Sequence, residues 1–223
     1  MELDFTPYFE QYKAIVKMAD EVFIRVKTEH PDCVKCEIKC ADCCHAVFDM
    51  TLVEAIYINF QFNNSFQGRE RGLVLERANR ADRKVHMIKR KAYKDVQAGK
   101  NEVDVLMELA GERCRCALLN DDDLCDLYAH RPITCRLYGI PTSVGGIAHT
   151  CGQTGFIEGQ QYPSVNLDTI QQKLFAVSQE LVASLKTKHV KMADILMPVS
   201  MAILTDFDPE YLGIIDAKPD TDK

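Results

Sequence analysis

Three features of the sequence predict a mainly α-helical protein, folded as a single irregular domain with small β-hairpins in a cysteine-rich region. Apolar residues recur at helical spacing over much of the chain, and the ten cysteines gather in two blocks broken by turn residues. Strand and helix patterns do not alternate along the chain, which argues against a parallel sheet.

The first element spans residues 7–29, where Tyr8, Tyr12, Ile15, Ala19, Val22, Phe23 and Val26 form an apolar stripe that stops before Pro31. An aromatic stripe at this spacing is a packing face, so the segment 1–31 reads as a core-facing helix. It leads into the first block, Cys33 to His45, with five thiols in thirteen positions interleaved with Lys35, Glu37, Lys39 and Asp42. Those charged spacers cannot share a core with the thiols, and spacers of two or three residues let a loop turn its sulfurs toward one ion or cluster.

Beyond His45, Thr51-Leu-Val-Glu54 has the form of a capping box, which starts a helix over about 52–62. Asn63, Asn64, Ser65 and Gly68 predict a turn, and a polar helix over 70–98 follows, closed by Gly99. Segment 69–100 holds eleven basic and four acidic residues, so it carries +7 and the remainder of this −6 chain carries −13. An acidic protein or RNA is the partner such a helix would take, although a solvated face has the same composition. A short helix over 101–112 is expected to turn Val103, Val105, Leu106 and Leu109 inward.

Cys114, Cys116, Cys125 and Cys135 make up the second block, with Cys151 close behind. Short strands are expected at 117–119 and 124–127 around the turn Asn120 to Asp123, whose carboxylates suit a hairpin better than a divalent ion. Pro132 begins a helix carrying Cys135, and Gly145-Gly146 centres a hairpin over 143–150. Asn166 caps a helix with Ile170, Leu174, Val177, Leu181 and Leu185 on one face; residues 192–204 are apolar but broken by Pro198, and 217–223 read as a disordered tail.

The N-terminus lacks a basic and then apolar leader, and no apolar run reaches membrane-spanning length, so a cytoplasmic protein without membrane insertion is expected. In that compartment cysteines stay reduced and serve as ligands rather than disulfides. Eight thiolates fill two four-sulfur sites or one multinuclear site, and adjacent Cys43 and Cys44, pointing in different directions, favour a centre shared by both blocks. Arg115, Arg131, Arg136, Lys35 and Lys39 would offset its negative charge. His45 and His149 flank ligand cysteines and read as backbone-bonded or exposed rather than as ligands.

Cys36, Cys40, Cys43 and Cys44, followed by Cys116, Cys125, Arg131-Pro132, Cys135-Arg136 and Cys151, resemble the pattern of the YkgJ-like cysteine-cluster family of zinc- or iron-chelating domains. The resemblance covers about half the chain and implies that Cys36, Cys40, Cys43, Cys44, Cys116, Cys125, Cys135 and Cys151 hold the metal. Cys33 and Cys114 are additions to that pattern. It divides the chain into an N-terminal helix (1–31), a cysteine-cluster domain (32–152) with the basic helix 69–100 inserted, C-terminal helices packed on it (153–216), and the tail.

The spacing Cys36-x3-Cys40-x2-Cys43 favours an iron–sulfur cluster over zinc, with zinc the alternative because soft thiolates suit both metals. A [4Fe–4S] protein for electron transfer, redox sensing or support of a partner enzyme is the first functional expectation. A zinc-stabilised interaction module and a cluster-assisted enzyme modifying protein or RNA are the alternatives. The enzyme reading has no Gly-rich cofactor loop and no nucleophile–base pair behind it.

Overall fold

The computed structural model describes residues 3–214; the expected tail, 217–223, lies outside them. Seven α-helices occur among the described residues: α1 (Thr6–Glu29), α2 (Leu52–Ser65), α3 (Gly68–Gln97), α4 (Glu102–Gly111), α5 (Ile133–Leu137), α6 (Leu167–Leu185) and α7 (Val199–Leu204). Five short strands accompany them: β1 (Met50–Thr51), β2 (Thr142–Val144), β3 (Ile147–His149), β4 (Val165–Asn166) and β5 (Leu196–Met197).

Helix α2 is the centre of the fold. Its apolar residues surround its first half rather than forming a stripe, so it is buried on every side from Leu52 to Asn59, as such a helix must be. On one side it joins α1, α5 and α6 in a core that includes Tyr12, Ile56, Leu137 and Leu181. On the other it joins α3 and α7 in a second core, with Phe62, Val74, Ala202 and the second-block residues Ala117, Leu118 and Leu127. The chain therefore has two apolar bodies, the first touched at its edge by Cys36 and the second by Cys116 and Cys125.

The capping box forms: Thr51 N donates to Glu54 Oε2 at 3.2 Å. Strand β1 pairs antiparallel with β5 through Met50↔Met197 and Thr51↔Leu196, tying the start of α2 to the segment before Pro198. Strand β2 pairs antiparallel with β3 and parallel with β4. Gly145 and Gly146 make the β2–β3 turn with φ of 56° and 80°, a conformation that favours glycine.

Three local expectations are corrected. Asn63, Asn64 and Ser65 form the last turn of α2, because Asn63 Nδ2 bonds Asn59 Oδ1 and keeps the helix going. On α4 only Val105 is buried; Val103 and Leu106 are 50% and 62% exposed, because α3 offers this ten-residue helix one narrow face. The expected strands at 117–119 and 124–127 reduce to the single bridge Leu119↔Cys125, since Asn120 Oδ1 draws the amides of Asp122 and Leu124 into a tight turn at 3.0 Å each.

Helix α3 is not evenly solvated. Arg77 bonds Asp126 and the Ala117 carbonyl, and Lys89 pairs with Asp49, so its inner edge holds the second cysteine block and the segment between the first block and α2. Arg83, Lys84, Arg90 and Lys91 form no ion pair with the described residues.

Candidate metal centre

The two cysteine blocks are stitched together by backbone hydrogen bonds. Cys116 N donates to Cys44 O at 2.7 Å and Cys114 N to His45 O at 2.8 Å, flanking the antiparallel bridge Ala46↔Arg113. Cys43 and Cys44 lie in a 3₁₀ turn, Asp42–His45, and Cys135 lies in the middle of α5. That helix is held in place by α2: Glu54 Oε1 accepts from Ile133 N at 3.2 Å, so one buried carboxylate caps two helices.

These elements bring thiols of both blocks into contact. Cys135 lies beside Cys43, Cys43 beside Cys44, and Cys44 beside Cys125, a run of four thiols that crosses twice between the blocks. Cys43 and Cys44 are close to each other in the tight turn, and each reaches a different partner in the second block. The hydrogen bonds received from Cys135 and Cys44 push the Cys43 thiol down, and the one from Cys44 does the same to Cys125. The donors Cys44 and Cys135 go up for the same reason. Cys116 adjoins this run, and burial raises its thiol to about 12.

Cys36 lies near Cys40, Cys43 and Cys151. Burial, with Cys40 and Cys43 nearby, lifts Cys36 to about 11. Gly139 makes room for its sulfur: a β-carbon there would stand 2.1 Å from Cys36 Sγ. Cys151 Sγ donates to Asp42 Oδ2 at 3.2 Å, and burial raises this thiol to about 11. Burial works against ionisation of Asp42, but the bond from Cys151 and the charge of Arg113 outweigh it and hold the carboxyl below its usual value.

Cys33 and Cys114 stand apart. Cys114 packs beneath α3 with Ala81 and Val85, and the Cys33 carbonyl accepts from Gly155 N at 2.8 Å. His45 Nδ1 is 3.0 Å from the Ala41 carbonyl and His149 is exposed, as the sequence suggests. Of the expected cations, Arg131 lies close enough to stabilise charge on Cys43 and Cys36. Arg136 instead faces Asp20 of α1 at 2.7 Å, and Arg115 bonds the Asn120 carbonyl. Lys27 of α1, which the sequence did not single out, lies near Cys36 and reaches its carbonyl at 3.5 Å.

The donor set fits a thiophilic metal. Thiols held up by burial lose their protons to a cation, and several thiolates together need one. In the state described the sulfurs lie beside each other rather than encircle a point: among the described residues no three His, Cys, Asp or Glu side chains are arranged to hold a metal ion.

The fold and the site define a helical protein with a cysteine-rich metal-chelating domain. Residues 33–152 match the family CxxCxxCC, described as "Putative zinc- or iron-chelating domain", and the chain belongs to that family. Comparisons with curated proteins and with solved structures returned no match.

Proposed function

We propose that this chain is a cytoplasmic iron–sulfur protein, its cluster held by cysteines of both blocks and used for electron transfer, redox sensing or support of a partner enzyme. The observation that carries the reading is the run Cys135–Cys43–Cys44–Cys125, since the close approach of four thiols from segments far apart in sequence is the arrangement a thiophilic metal needs. Cys36, Cys40, Cys116 and Cys151 complete the proposed ligand set. A bound [4Fe–4S] cluster would supply one-electron chemistry, while Arg131 and Lys27 offset the negative charge of the thiolates. All ten cysteines are free, in keeping with a reducing compartment, and no helix among the described residues is long and apolar enough to cross a membrane.

Anaerobically purified protein is expected to be brown, with broad absorption near about 400 nm that bleaches with dithionite or air, as cluster charge-transfer bands do. A colourless preparation with stoichiometric zinc would replace this reading with a zinc-stabilised interaction module.

The outer face of α3 is the proposed docking surface for an acidic protein or RNA. Reversing the charge of Arg83, Lys84, Arg90 and Lys91 is expected to abolish salt-sensitive capture of that partner and to leave metal content and helicity unchanged. If binding persists after reversal, α3 is a solvated face.

A further inference from the structure

Asp42 stands between Cys40 and Cys43 in the first block, and its carboxylate is in contact with a sulfur from the far end of the cysteine-cluster domain. Cys151 Sγ lies 3.2 Å from Asp42 Oδ2, across 109 residues of chain. The other carboxylate oxygen is tied to the second block. Arg113 Nη2 donates to Asp42 Oδ1 and, at 3.0 Å, to the Asp42 carbonyl, while Arg113 Nη1 donates to Tyr138 OH at 3.1 Å. The guanidinium thus takes Oδ1 and leaves Oδ2 turned to the thiol.

The Cys151 sulfur is itself set in a tight turn. Gln153 N donates to it at 3.4 Å, and Thr154 N donates to the Cys151 carbonyl at 3.0 Å. A protonated Cys151 gives its hydrogen to Asp42, but a metal-bound thiolate has none to give. Carboxylate and thiolate would then meet as two anions at a site where the Asp42 side chain is 20% exposed. A cation held by both removes the conflict, and the spacing suits one. On a tetrahedral ion, sulfur at about 2.3 Å and oxygen at about 2.1 Å stand about 3.6 Å apart, so the carboxylate has to shift by only about 0.4 Å.

We propose that Asp42 is a metal ligand beside Cys151, its Oδ2 exchanging the thiol hydrogen for the metal ion while the Cys151 proton leaves to solvent. The inference rests on the reading of Cys151 as a ligand. Arg113, bound to Oδ1, then orients that ligand as groups around a metal site do. An oxygen donor is harder than sulfur, so this corner of the centre differs chemically from its all-thiolate part.

Asp42→Asn keeps the shape of the side chain and removes the anionic ligand; Asp42→Cys supplies a thiolate instead. Both break the pair with Arg113. Metal-free wild type, the two variants and Cys151→Ser are compared for Zn²⁺ affinity by chelator competition and for the absorption of bound Co²⁺, whose charge-transfer bands report thiolate ligands. The expected result is an affinity on the order of 100-fold lower in Asp42→Asn, and recovery in Asp42→Cys with more sulfur-to-cobalt absorption per ion than wild type. Unchanged affinity in Asp42→Asn would mean that the carboxyl takes up the Cys151 proton and stays a neighbour. Equal loss in both variants, without added absorption in Asp42→Cys, would mean that Asp42 acts only through Arg113. Either outcome overturns the proposal. Should Cys151→Ser bind Zn²⁺ as tightly as wild type, the ligand reading of Cys151 fails, which separates that failure from one confined to Asp42.

Discussion

Cys40→Ser and Cys135→Ser are each expected to empty the same metal centre, lowering affinity on the order of 100-fold or more, since losing a ligand costs at least as much as losing a group that supports one. Cys135 sits in the four-thiol run, while Cys40 lies near Cys36, outside that run. A shared centre requires both groups, so metal per chain should fall in both variants, measured by elemental analysis after anaerobic gel filtration. If one variant loses a full equivalent and the other keeps it, there are two independent sites. The structural cost should be local. The two apolar cores meet cysteines only at their edges, so helicity by circular dichroism should persist while segment 33–45 becomes sensitive to proteolysis.

The helices were legible in the sequence because their signals are local: a stripe before Pro31, a capping box at Thr51, Gly99 at φ 86° after α3, Asn166 Oδ1 accepting from Thr169 N. The cysteine spacing likewise marked out the family. Less legible was anything set by distant segments. Val103 and Leu106 have helical spacing, yet whether a helix face is covered depends on what lies opposite, and here nothing in the described chain does. The arginines of the motif looked alike in sequence, but Arg131 stacks on the Tyr128 ring, with its charge still felt by Cys43, and Arg136 pairs with Asp20 of α1. Lys27 lies nine residues before Cys36 and carried no signal in the sequence, because a lysine on the exposed side of a helix has no spacing that marks what its charge faces.

Glu54 shows the same division and leads to the second large effect. The capping box identified its local role, in which it accepts from Thr51 N; the structure adds Ile133 N across 79 residues, so the same carboxylate anchors the helix that carries Cys135. Glu54 is 4% exposed, and burial pushes its carboxyl up while the donors at Ile133 and Thr51 pull it back. Glu54→Ala leaves two buried backbone N–H groups without an acceptor, at about 1–3 kcal/mol each, besides the cavity. Unfolding free energy is therefore expected to drop by about 3–5 kcal/mol, read from denaturant titration with an unchanged slope. Glu54→Gln should lose less, since one amide oxygen can still accept while its NH2 faces a donor. Metal affinity should fall in Glu54→Ala even where the protein remains folded, because α5 would no longer hold Cys135 against Cys43. A loss below about 1 kcal/mol would mean that water replaces the carboxylate at both helix ends and that Glu54 does not couple them.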